Sequence, residues 1–135
     1  MKILTIVILG LVTACDPIDS RLKIDNATSD TLFYVVSKTR ELNEDDLFYF
    51  KPSSYIVLGP QNGTLDPKTV TSVRSMFGIG THTWERGINE HCDDSTLTIF
   101  IFNNSPNEND WNKPKQVIRT RTDVLNANDW LIRLE

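Results

Sequence analysis

The sequence has few of the residues from which reactive and metal-binding sites are usually built. Its 135 residues include two cysteines and two histidines, with no His-Glu-x-x-His or Cys-x-x-Cys pattern. It also has no glycine-rich phosphate loop, serine-centred elbow or paired-carboxylate motif. We therefore expect a protein that is not an enzyme, with no catalytic residues, no metal and no cofactor.

Positive charge is also scarce. The chain carries 14 Lys and Arg against 18 Asp and Glu, a formal net charge of −4 at pH 7. Nucleic-acid binding calls for a basic face that neutralises phosphates, and no cluster of basic residues is apparent in the sequence. We expect no nucleic-acid partner.

The apolar run that opens the chain is too short to span a membrane. Lys2 is followed by an almost entirely apolar stretch from 3 to 12, whereas a spanning helix needs about 20 apolar residues. The small residues Thr13 and Ala14 follow, and then Cys15. This order of charge, apolar run and small residues is typical of a signal peptide. It favours that interpretation over a buried N-terminal strand with a cysteine beside it by chance.

Residues 12 to 15, Val-Thr-Ala-Cys, resemble the lipobox of bacterial lipoproteins. The resemblance implies cleavage before Cys15, a diacylglycerol on its sulfur and usually a further acyl group, such as palmitate, on its nitrogen. Two or more acyl chains anchor a protein stably. We predict a lipoprotein signal peptide at 1–14, a lipidated tether at 15–20 and a single domain at 21–135 that meets the membrane through Cys15.

The membrane that carries this anchor is less well defined by the sequence. Asp16 resembles the inner-membrane retention signal of enterobacterial lipoproteins, whereas Bacteroidetes surface lipoproteins often carry acidic runs after the cysteine. We place the protein in the bacterial cell envelope and favour the outer membrane over the inner one. The face of the membrane is left open.

Alternating polar and apolar residues predict a series of short β-strands. We expect strands at 21–25, 31–36, 55–58, 69–73, 97–102, 116–121 and 130–134. The first two should pair as a hairpin, and 61–68 should be a turn-rich connection. Lipidation of Cys15 would leave Cys92 without a disulfide partner, so the core must stabilise the fold.

Two segments refine this fold class. The near-continuous apolar strand Leu97–Phe102 should be covered on both faces. Trp84 and Ile88 are spaced to share one face of a short helix near residues 83–90, although Gly87 weakens that prediction. About seven strands with one short helix favour an all-β fold, a small β-sandwich, with an incomplete barrel as the alternative.

The order of motifs in the second half resembles a family of small Bacteroidetes lipoproteins of unknown function. The pattern runs from Trp84-Glu85-x-x-Ile88 through Leu97-x-Ile99-Phe100-Ile101-Phe102 and Trp111 to Asn128-x-Trp130. The resemblance implies the same lipid-anchored β domain. The family has no known catalytic residues to carry over to this chain.

Two groups of residues are candidates for a site. His82, His91 and Cys92, with acidic neighbours, form the one cluster of ligand-type side chains. A zinc site needs three or four converging ligands, and the two histidines are nine residues apart, so a solvated loop with a half-buried thiol is the favoured interpretation.

The aromatic residues form the second group. Trp84 and Trp130 have periodic apolar neighbours and should lie in the core, whereas Trp111 stands in a polar loop and is the possible ligand contact. With Tyr34, Tyr49 and Tyr55, the tryptophans are the candidates for a ligand-binding platform.

These observations support two hypotheses about function. The leading one is a lipid-anchored envelope protein that acts as a non-catalytic interaction or structural module, with an envelope protein or a glycan as its possible partner. The alternative is an accessory lipoprotein that binds a glycan or another small ligand through exposed aromatic side chains.

Overall fold

The fold is taken from a computed structural model, which describes residues 18–42, 62–104 and 113–135. Within these ranges, seven strands form two sheets and are accompanied by two short helices, so the prediction of a mostly β chain is confirmed. The strands are β1 (Leu22–Asn26), β2 (Leu32–Ser37), β3 (Asn62–Leu65), β4 (Thr69–Val73), β5 (Leu97–Phe102), β6 (Gln116–Thr120) and β7 (Leu131–Leu134). The helices are α1 (Thr83–His91), where one was predicted, and α2 (Thr122–Ala127), and a 3₁₀ turn spans Asp93–Ser95.

The two sheets draw on distant parts of the chain. The first has the order β4-β1-β7, with β1 antiparallel to β4 and parallel to the final strand β7. The second has the order β3-β2-β5-β6 and is antiparallel throughout. The N-terminal strand therefore lies between two strands that come much later in the sequence.

The predicted pairing of the first two strands is wrong. β1 and β2 lie in different sheets. β2 buries Tyr34 on one face and Val35 on the other, so it belongs in the interior of the larger sheet, whereas β1 leaves Lys23 exposed. The two strands therefore lie in different sheets because β2 is buried on both faces and β1 is not, although they are neighbours in the sequence.

The turn-rich segment 61–68 contains a strand that was not predicted. Asn62 and Gly63 are typical turn residues, yet they form the first half of β3 at the edge of the larger sheet. Gly63 lies opposite Tyr34, and a Cβ added at Gly63 would lie 3.0 Å from Tyr34 Cε1. The glycine therefore leaves space for the tyrosine ring. The strand predicted at 55–58 lies outside the described residues.

One apolar cluster takes side chains from both sheets and from α1. Its fully buried members include Leu22, Ile24, Leu32, Val36, Leu97, Ile99, Trp84 and Ile88. A smaller cluster of Val35, Phe100 and Phe102 lies on the opposite face of the larger sheet. All six residues of β5 are buried, which confirms that this strand is covered on both faces.

Gly87 supports packing around α1 despite its low helix propensity. An added Cβ at Gly87 would lie 1.9 Å from Cγ of Phe77. The Phe77 ring also meets Trp84 edge-on, with 5.7 Å between ring centroids. The glycine lets an aromatic ring lie directly on the helix backbone.

Asn26 joins the two places where the chain crosses between the sheets. Its side chain is fully buried, and its amide nitrogen lies 2.8 Å from Asp30 O, 3.0 Å from Leu65 O and 3.2 Å from Asp66 O. Its Oδ1 accepts hydrogen bonds from the backbone and the hydroxyl of Thr28. The β1–β2 and β3–β4 connections are thus bonded to one side chain, which supplies a donor to the buried carbonyl of Leu65 and to the partly buried carbonyls of Asp30 and Asp66.

We predict that Asn26→Ala and Asn26→Asp both destabilise the protein strongly. Alanine removes every contact, and aspartate cannot supply the two amide donors, so either change leaves buried carbonyls unpaired. Each such group costs about 1–3 kcal/mol, and we expect a loss of about 3 kcal/mol or more in the free energy of unfolding. Urea denaturation measures this. As a control, the exposed Asn128, which donates to Val124 O, should lose less than about 1 kcal/mol on change to alanine; similar losses at the two sites would contradict the role given to Asn26.

Candidate functional site

The two residues singled out by the sequence, Cys15 and Trp111, lie outside the described residues, as do Tyr49 and Tyr55. Trp84 and Trp130 are 0% and 5% exposed, which confirms their prediction as core residues, and Tyr34 is also buried. No tryptophan or tyrosine of the described ranges is therefore part of an exposed aromatic platform.

The ligand-type residues do not converge. His82 precedes α1 and lies 3.4 Å from Glu85 Oε1, whereas His91 ends the helix and stacks on Phe77. Within the ranges that the structure covers, no group of three or more His, Cys, Asp and Glu side chains is arranged to hold a metal ion.

Cys92 is buried, whereas a half-buried thiol was predicted. Burial raises the pKa of its thiol to about 11; Asp93 acts in the same direction and Lys38 opposes it. A thiol is nucleophilic only as the thiolate. The pKa of Cys92 therefore keeps it protonated at neutral pH and consistent with a core residue.

A different site lies where the chain enters β1 beside the turn between α2 and β7. There, an open groove of about 550 Å³ is lined by Ser20, Arg21, Lys23, Asn126, Asp129 and Trp130. The Lys23 N–H donates to Trp130 O across 2.9 Å, which joins the two walls of the groove. The volume falls in the usual range of small-ligand sites.

Arg21 organises the inner side of this groove. Its Nε and Nη2 lie 2.9 and 2.8 Å from the two carboxylate oxygens of Asp19, and its Nη1 lies 2.7 Å from Glu85 Oε1. A second bond joins Arg21 Nη2 to Glu85 Oε2. The guanidinium also lies over the Trp130 ring, 4.5 Å from its centroid. The planar fork of arginine suits this combination of bidentate pairing and stacking.

Asp19 connects this network to the start of α1. Its Oδ2 accepts a hydrogen bond of 3.3 Å from the Trp84 N–H, and its carbonyl accepts one of 2.8 Å from Ser75. The residue that precedes the helix, His82, makes no side-chain capping bond. Asp19 therefore places a carboxylate at the helix N-terminus from a distant part of the chain, where negative charge is favourable.

The pKa values of the two carboxyl groups follow from these contacts. Burial raises the pKa of Asp19, but hydrogen bonds from Arg21 and from the Trp84 N–H, together with the positive charge of Arg21, outweigh this effect, so the net shift is downward. Hydrogen bonding by Arg21 is the main cause of the lowered pKa of Glu85. Both groups are therefore ionised at neutral pH and paired with Arg21.

The opposite wall of the groove is set by the end of α2. Asp129 and Trp130 have left-handed backbone conformations, with φ of 53° and 60°. The Trp130 N–H donates to Leu125 O (2.8 Å) and the Asp129 N–H to Asn126 O (3.4 Å), which is the Schellman pattern of a helix C-terminus. Trp130 Nε1 also donates to Asn126 Oδ1 across 2.9 Å. Trp130 is thus held in place by helix capping beneath Arg21.

Lys23 and Asp129 supply the solvent-facing charges of the groove. Both residues are exposed, and neither forms an ion pair within the described ranges. The groove thus contains the paired cation of Arg21 on its inner side and the opposite charges of Lys23 and Asp129 on its outer side.

This site is not predicted by the sequence. Asp19 falls within the predicted tether at 15–20, yet it is buried, and Ile18 forms a β-bridge with Gly80. Arg21 and Glu85 are 64 residues apart. No local pattern of residues could have linked them.

Comparison with protein-family models, with curated proteins and with solved structures found no match to this chain. In the described part of the chain, none of the helices has both the length and the apolar character needed to cross a membrane.

We predict that Arg21→Ala lowers the free energy of unfolding by about 1.5–3 kcal/mol, because it removes charge-assisted bonds and leaves Asp19 buried without a cation. The matched control is Arg133→Ala, whose side chain is 62% exposed and whose Nε lies 3.8 Å from both Asp25 Oδ2 and Glu135 Oε1. We expect this control to cost less than about 1 kcal/mol.

The effect of Arg21→Ala should also depend on pH. Because the folded pKa values of Asp19 and Glu85 lie below their ordinary values of 3.8 and 4.5, the ionised pairs stabilise the fold above those values. This stabilisation is lost as the pH falls through the lowered folded pKa values. Urea denaturation of the wild-type and Arg21→Ala proteins should therefore show a difference that is constant from about pH 7 to about pH 5 and shrinks as the pH falls further; a difference independent of pH would contradict the ionic role.

Proposed function

We propose that this chain is a lipid-anchored protein of the bacterial cell envelope that acts as a non-catalytic interaction module through the groove lined by Arg21 and Trp130. The observation that carries the proposal is the saturated pairing of Asp19, Arg21 and Glu85. These groups hold a preformed surface, and the lowered pKa values of both carboxyls make them poor proton acceptors at neutral pH. Lys23 and Asp129 remain for contact with a partner.

We propose further that the two sheets form a small β-sandwich. The support is the apolar cluster shared between them, to which β1 contributes Leu22 and Ile24, and β2 contributes Leu32 and Val36. Alternate residues of two facing sheets build such a core.

The anchor is the second part of the proposal. It is supported by the lipobox-like residues 12–15 and by the resemblance to small Bacteroidetes lipoproteins. We favour the outer membrane over the inner one as the location of this chain. A groove attached to a membrane in this way would meet envelope proteins or glycans.

We predict that Cys15→Ala, or treatment of cells with globomycin, leaves a larger unprocessed precursor. Mass spectrometry of the purified protein and immunoblots of cell fractions measure this. Cys92→Ala is the matched control, since the other cysteine of the chain should have no part in processing. Normal maturation of the Cys15→Ala protein would refute the anchor.

The alternative is an accessory lipoprotein that binds a glycan or another small ligand. The groove volume of about 550 Å³ favours this function, and Trp111 remains the predicted aromatic contact. Glycan-array binding of the wild-type chain should fall at least about tenfold in Trp111→Ala if that side chain stacks on a sugar. Lys23→Ala tests the groove in parallel. No binding to any glycan, or binding that neither change affects, would rule out the alternative.

A further inference from the structure

Two large apolar side chains are exposed beside the point at which the described chain begins. Ile18 is 37% exposed and Ile79 is 62% exposed. Ile18 forms a parallel β-bridge with Gly80, the residue next to Ile79. The two isoleucines therefore belong to neighbouring segments, whose exposed surface includes both side chains.

The backbone of the loop keeps Ile79 away from the core. Gly78 and Gly80 flank it with φ of 114° and 123°, conformations that other residues rarely adopt. A Cβ added at Gly78 would meet nothing within 4 Å, and one at Gly80 would make only an ordinary contact of 3.8 Å with Thr83. The loop therefore requires glycine at these two positions because of their backbone conformation, and not because a side chain there would clash with its neighbours.

The segment that carries Ile18 is fixed to the domain. The next residue, Asp19, is held by Arg21, by the Ser75 N–H and by the Trp84 N–H. Ile18 is three peptide units from Cys15, so their Cα atoms are at most about 11 Å apart. A lipid on Cys15 would therefore hold this surface against the headgroups, because the chain between them is too short for the domain to turn away.

We propose that Ile18 and Ile79 contact the membrane surface that carries the chain's own lipid anchor. This inference rests on the proposed lipidation of Cys15. The contact gives the tethered domain a fixed orientation, with the loop around Ile79 directed towards the bilayer. Two isoleucines are a small apolar area, so the contact depends on the anchor to bring them to the interface.

Charge next to Ile18 shows no excess of basic residues. Arg21 is paired with two carboxylates, those of Asp19 and Glu85. Attraction to anionic lipids falls off within a Debye length and needs an excess of basic residues. The contact should therefore be mainly apolar and depend little on the fraction of anionic lipid.

Photo-crosslinking of the full chain tests the proposal. A benzophenone amino acid replaces Ile79 in one variant and Val117 in the control, and each protein is made in a bacterium that processes lipoproteins. Val117 is also exposed, at 44%, but lies in β6, at the edge of the four-stranded sheet. After reconstitution in vesicles of phosphatidylethanolamine and phosphatidylglycerol, illumination should give several-fold more lipid adducts at position 79 than at 117.

Mass spectrometry of the N-terminal peptide reports acylation in the same samples. An acylated Cys15 with equal or absent adducts at the two positions would overturn the membrane contact while leaving the anchor intact. A chain without acyl groups would overturn the proposed anchor and this inference with it.

Insertion of about 20 flexible Gly and Ser residues after Asp16 should lower the lipid adducts at position 79 several-fold, because the longer tether frees the domain. Unchanged adducts would overturn the role of the short tether.

Discussion

The buried side chain of Asn26 is the interaction on which the arrangement of the sheets depends. The chain leaves one sheet after β1 and returns to it after β3, and both crossings pass beside this amide. Backbone groups in a crossing have no sheet partner, so they need another donor when they are buried. A single asparagine serves both connections, since its amide bonds carbonyls of each while its oxygen orders the turn at Thr28.

Arg21 has a comparable role at the other end of β1. It connects the entering chain to α1 through Asp19 and Glu85, and to the α2–β7 turn through the ring of Trp130. The same contacts that stabilise the domain also shape the groove and fix the segment next to the proposed anchor. The stability of the fold and the geometry of its candidate site are therefore coupled through one guanidinium.

The sequence predicted the elements whose residues carry their own pattern. β5 was found because six successive apolar residues imply cover on both faces, and α1 because Trp84 and Ile88 share a helical face. The partners of β1 could not be found in this way, since β4 and β7 are distant in sequence and no local signal states the pairing. β3 was missed because Asn62 and Gly63 have turn propensity, which their pairing with β2 overrides. The site was missed because Asp19, Arg21 and Glu85 meet only in the folded chain, and the predicted Cys15 and Trp111 lie outside the described residues.

The order of residues along the N-terminal segment restricts how the groove could be used. Ser20, Arg21 and Lys23 line it and follow directly after the predicted tether. Ser20 is five peptide units from Cys15, which limits their Cα separation to about 18 Å. With the proposed anchor in place, this side of the groove lies within the reach of groups attached to the same membrane. A small soluble ligand would gain nothing from that position, whereas a membrane-bound protein or glycan would be held at a high effective concentration. The geometry therefore favours a partner that is itself attached to the envelope.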